Sequence, residues 1–102
     1  YKRQGQMTAT LVSPNGAEGA ALISLYGDGI GSVTSVGDTE AFAHQDSAGT
    51  RIVLINQMGG ELSFRVSVAD TLQPLEWAVD EVAAPDDSLR STVVGYELEL
   101  TP

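Results

Sequence analysis

Leu62, Phe64, Val66 and Val68 take every second position of the stretch Glu61–Ala69, and Glu61, Ser63, Arg65 and Ser67 fill the gaps. A period of two held this long predicts a strand with one face in a core and the other in water. Gly59-Gly60 before it and Asp70 after it supply turn chemistry. Met7–Ser13 alternates more weakly, with Met7, Ala9 and Leu11 on one side and Thr8, Thr10 and Val12 on the other, and Pro14-Asn15-Gly16 closes it with a tight turn. Ala20–Tyr26 is largely apolar on both faces. Arg51–Gln57 contains the unbroken run Ile52-Val53-Leu54-Ile55, which predicts a central strand covered on both faces.

The remaining segments are less regular. Ile30, Val33 and Val36 are spaced for a helix as well as a strand, but Gly31, Ser32, Thr34 and Ser35 are poor helix formers, so a short irregular strand is expected. Thr39–His44, with its small residues Ala41 and Ala43, reads as an edge strand. Leu75, Trp77 and Val79 alternate until the phase slips at Asp80-Glu81, the mark of a β-bulge. Ala84–Arg90 reads as a connector with one short helical turn near 86–90, N-capped by Asp86. In the last strand Val94, Tyr96, Leu98 and Leu100 are expected to face inward.

About eight short strands at intervals of roughly ten residues, with turn signals between them, predict an all-β protein. No segment sustains a helical period. The expected fold is an antiparallel β-sandwich, spanning 7–102 behind a polar tail, 1–6.

Charge narrows the range of partners. Fourteen acidic and five basic residues give a net charge of −9, and two of the basic residues are Lys2 and Arg3. From Gln4 onward three arginines face all fourteen acids, a balance of −11. Such a surface repels phosphate backbones and anionic headgroups, which argues against nucleic acid as a partner. Without cysteine there is neither a disulfide nor a thiolate metal site. No apolar run reaches the ~20 residues that span a bilayer as a helix. The first residue is Tyr1 rather than Met, which reads as either a processed or a cut chain, processing implying that an upstream signal or anchor has been lost.

Catalytic chemistry finds little to work with. His44 is the only histidine and has no cysteine or second histidine to share a metal. There is no Gly-x-Ser-x-Gly elbow, and the neighbouring carboxylates Glu97 and Glu99 read as the wet face of a strand. Asp86 and Asp87, with Ser88, are the candidate oxygen ligands for calcium. Trp77, Tyr96 and Phe64 belong to the core by alternation, which leaves Phe42 and Tyr26 as candidate rings for a sugar. The expectation is a protein without enzymatic activity and without a cofactor, unless calcium is held at the aspartates.

The span Gly19–Thr101, with Gly19-Ala20-Ala21-Leu22, Gly29-Ile30-Gly31-Ser32-Val33, Gly60–Val66 and the closing Gly95-Tyr96-Glu97-Leu98, resembles bacterial cell-surface β-sandwiches of the cohesin-like type, which are related in architecture to carbohydrate-binding modules. Ser13-Pro14-Asn15-Gly16-Ala17 followed by Gly19-Ala20, and Leu89-Arg90 followed by Gly95-Tyr96, are similar to short exported, often lipoprotein-type bacterial domains of unassigned function. The resemblance implies an extracytoplasmic domain, periplasmic or at the cell surface, and brings no catalytic residues with it. The expected function is protein contact, as a structural or accessory subunit of a periplasmic or cell-surface assembly. Candidate contact residues are Lys2, Arg3, Thr39, Ala41, Phe42 and Ala43, and strand addition is expected either at the Thr39–Ala43 edge or at Met7–Val12. The alternative is a carbohydrate-binding module using Phe42, Tyr26 and loop acids, assisted by calcium.

Overall fold

In the computed structural model, which describes residues 5–27, 29–46, 49–69, 76–86 and 88–101, eight strands form two four-stranded sheets. The strands are β1 (Gly5–Val12), β2 (Glu18–Tyr26), β3 (Ile30–Ser35), β4 (Glu40–Asp46), β5 (Gly49–Gly60), β6 (Ser63–Val68), β7 (Glu76–Ala83) and β8 (Glu97–Thr101). One sheet runs β3-β6-β1-β8 and the other β4-β5-β2-β7, with every pairing antiparallel. The protein is an all-β antiparallel sandwich. Among the described residues only β4 and β5 pair as consecutive strands; every other pairing joins strands distant in the chain.

The core lies between the two inner faces. Met7, Ala9 and Leu11 of β1, Phe64, Val66 and Val68 of β6 and Leu98 of β8 meet Ala21, Ile23 and Leu25 of β2, Ile52 and Leu54 of β5 and Val82 of β7. Burying each large side chain contributes about 1.5–3 kcal/mol, which is why alternation rather than local propensity fixes these strands. The expected bulge is present. Leu22 pairs with Glu81 and Ile23 with Val79, so Asp80 is the extra residue. It resets the phase of β7 so that Trp77, Val79 and Val82 can all reach the core.

Four expectations change. First, β1 pairs with β6 on one side and β8 on the other, so Met7–Val12 offers no free edge for strand addition. Alternation tells which face is buried, but it says nothing about lateral neighbours. Second, β5 is central in its sheet but covered on one face only: Ile52 and Leu54 are buried while Val53 remains 40% exposed.

Third, the described part of the 86–90 segment is not helical. Asp86 Oδ1 accepts the Ser88 N–H at 3.0 Å, an Asx-type turn following Pro85. The chain then folds back on β7, with Ala84 N–H donating to the Ser88 carbonyl and Arg90 N–H to the Val82 carbonyl, both at 2.8 Å. Its backbone bonds go sideways to a strand instead of along a helix. Fourth, Val94 is 80% exposed. Gly95 takes a φ of 90°, a left-handed conformation that breaks the alternation before Tyr96, so the strand begins only at Glu97.

Where the connector crosses β2, the fold leaves no room for a side chain. A Cβ on Gly19 would lie 2.7 Å from the Ala84 carbonyl oxygen and 3.0 Å from Pro85 Cα. Gly19→Ala therefore pushes backbone against backbone and is expected to cost about 1–3 kcal/mol. The check is a lower urea midpoint at an unchanged denaturant slope.

Candidate interaction surface

The two outer faces of the sandwich differ in kind. Outward positions of β3-β6-β1-β8 carry Thr8, Thr10, Arg65, Glu97 and Glu99, a polar wet face on which Val12 is the large apolar exception. On β4-β5-β2-β7 the register sets outward side chains in rows across the strands. Phe42 lies opposite Val53, Val53 opposite Leu22 and Leu22 opposite Glu81. The adjacent row is Glu40, Ile55, Ala20 and Ala83. Phe42 is 55% exposed, while Leu22 and Ile55 are half-buried by their neighbours. Apolar side chains thus occupy the centre of a solvent-facing sheet, with Glu40, Glu81 and Glu76 near its margins.

This face adjoins the β4 edge. The Ala41 N–H donates to Ser35 Oγ at 3.0 Å, away from β5. By antiparallel alternation the backbone groups of Ala43 and Gln45 also point away from β5. Gln45 Nε2 donates to the carbonyls of Ile30 at 2.9 Å and Gly31 at 3.3 Å, tying β4 to β3 across the side of the sandwich. Between them is an open cleft of about 520 Å³ lined by Gly31, Ser32, Val33, Ala43, His44 and Gln45. His44 is exposed there, and the Ser32 hydroxyl is 3.2 Å from that of Ser67.

The candidate contact residues fare differently. Phe42 and Ala43 are exposed and Ala41 is half-buried, all on the edge strand. Thr39 is 3% exposed: its hydroxyl donates to the Glu61 carbonyl at 3.1 Å and accepts the Ser63 N–H at 3.3 Å. It pins the entry to β6 and has nothing to offer a partner. Lys2 and Arg3 lie outside the described residues, as does Asp87. Asp86 spends its Oδ1 on Ser88, and no group of three or more potential metal ligands occurs among the described residues.

A buried polar centre, unmarked by any motif, lies at the end of the sandwich where the β1–β2 turn meets the chain before β8. Glu18, at the start of β2, is 1% exposed. Its Oε1 accepts Arg90 Nε at 3.0 Å and Nη2 at 2.9 Å, and its Oε2 accepts the hydroxyls of Ser13, at 2.6 Å, and Tyr96. Asn15 Nδ2 in turn donates to the Tyr96 oxygen at 2.9 Å. Burial alone would raise the carboxyl pKa. The bonds from Ser13, Tyr96 and Arg90, with the charge of Arg90, outweigh it and hold Glu18 below its ordinary value. With four donors on its two oxygens the carboxylate has no vacancy for a substrate. It is a structural clasp joining the β1–β2 turn to the chain between β7 and β8. The Ser-Pro-Asn-Gly and Leu-Arg…Gly-Tyr segments quoted for the resemblance to exported domains meet at this point. No protein-family model, curated protein or solved structure matches the chain.

Proposed function

We propose that the protein is a non-enzymatic module working by protein contact, an accessory or structural subunit of an extracytoplasmic assembly of the cohesin-like kind. One observation carries the reading: β2 and β5 have the composition of strands covered on both faces, and one of those faces has no covering layer among the described residues. Apolar side chains gathered at the centre of a sheet and fringed by acids have the anatomy of an interface core and rim. On the β4 edge beside them, the backbone of Ala43 points away from β5 and adds groups for strand addition.

A glycan platform has less support. Phe42 and Tyr26 share the outer face but are two strands and two rows apart, about 16 Å from strand spacing and rise, too far for both rings to stack on one sugar unit.

Native mass spectrometry of the protein taken gently from its own source tests the reading. The expected result is a stoichiometric complex with another protein. Val53→Glu, which places a charge at the centre of the apolar row, is expected to release that partner while the melting temperature stays close to wild type. A bare monomer, or a complex indifferent to Val53→Glu and to Phe42→Glu, overturns it.

A further inference from the structure

Within the apolar face one spot is hollow. Ala20 and Ala83, small side chains directly opposite in the β2–β7 register, form its floor. Leu22, Val53 and Leu89 form its walls and Glu81 its rim, around a volume of about 230 Å³. Leu89 is 69% exposed, yet its place is fixed. It bridges to Ala83, and the backbone bonds of Ala84 to Ser88 and Arg90 to Val82 bracket it, while the Arg90 side chain is clasped by Glu18. A rigidly presented apolar wall over a floor of small residues is a preformed socket for one large side chain.

Charge decides what fills it. Glu81 is exposed and takes part in no ion pair among the described residues. Glu40 and Glu76 are also on this face, with Arg51 as its cation. A second copy would bring one chain of net charge −9 against another. We propose that the socket receives a large apolar side chain of a different polypeptide, adjacent to a lysine or arginine that pairs with Glu81. This assignment rests on the protein-contact reading and gives it a partner chemistry.

The test is methyl NMR titration of the full chain with three blocked dipeptide amides: acetyl-Phe-Arg, acetyl-Phe-Glu and acetyl-Ala-Arg. The expected result is saturable shifts at Ala20, Leu22, Val53, Ala83 and Leu89 with acetyl-Phe-Arg at millimolar concentration. Acetyl-Phe-Glu should bind about two- to fivefold more weakly, the size of one exposed ion pair, and Glu81→Gln should erase that difference. Ala83→Leu, which fills the floor, and Leu89→Ser, which removes a wall that is already exposed, should each abolish the shifts; a thermal melt verifies that both variants fold. Shifts that do not saturate, or no preference for arginine, overturn the proposal. A dimer in sedimentation that Leu89→Ser dissolves would overturn it as well, giving the socket to a second copy. If the native complex persists in both socket variants but falls apart in Val53→Glu, the socket is wrong and the module reading stands; if there is no complex at all, the module reading fails.

Discussion

Glu18→Ala is expected to destabilise the protein by about 3–5 kcal/mol, the range for removing one partner of a buried ion pair. For a domain of this size that lowers the melting temperature by more than about 10 °C. The loss is large because three groups are stranded together. Arg90 keeps a charge without its counterion, and the Ser13 and Tyr96 hydroxyls lose their acceptor. Arg90→Ala should cost clearly less. The Arg90 side chain is 29% exposed, so water reaches the place it vacates, and Ser13 and Tyr96 remain on the carboxylate. Thermal melts of both variants test the ranking, and an Arg90→Ala loss equal to that of Glu18→Ala would refute it.

The same clasp sets a pH dependence. The folded-state pKa of Glu18 is lowered from its ordinary value of 4.5. The unfolded chain therefore binds the proton more readily, and stability from Glu18 is fully present above that value and is lost as pH falls through the lowered one. Wild type should weaken on acidification below about pH 4.5 more steeply than Glu18→Gln, which has no proton to take up there. Urea midpoints measured across that interval give the comparison, and parallel curves would contradict the assignment.

Phe64→Ala is expected to cost a further class of stability, about 3–5 kcal/mol, by opening a cavity. Phe64 is 0% exposed on β6, and its partner across the strand pair is Ala9, also 0% exposed. A large ring over a methyl is a fitted pair, and Ala9 has no atoms to move into the space. β6 is held by β1 and β3 on its two sides, so the backbone cannot close in either. Phe64→Leu, which keeps most of the volume, should cost clearly less. Phe42→Ala, on the exposed outer face, should change stability by less than about 0.5 kcal/mol. Denaturant midpoints with equal slopes would establish the contrast.

The strand phases were readable wherever a polar residue marked the wet face. Leu62, Phe64, Val66 and Val68 are buried as their alternation requires, and the phase slip at Asp80-Glu81 marks a real bulge. Ile52-Val53-Leu54-Ile55 offers no such marker, so its central place in the sheet was legible and its single covered face was not. Val94 escapes the alternation because one left-handed glycine, Gly95, shifts the phase without altering the pattern of residue types. Glu18 was the least visible: it stands beside Gly19-Ala20 like an ordinary turn acid, and its partners Arg90 and Tyr96 are 72 and 78 residues further along. A buried carboxylate announces itself only through long-range neighbours.

The place of β1 also bears on how the protein is made. Of the eight strands it is made first, and its two neighbours, β6 and β8, begin at Ser63 and Glu97. The apolar row Met7, Ala9 and Leu11 therefore stays unpaired until the chain has been made as far as β6. Local pairing can begin at the β4–β5 hairpin, but the sheet that holds β1 cannot be completed until β8 has emerged. Until then at least one edge of β1 stays open, a window in which the unfinished sheet is prone to aggregate.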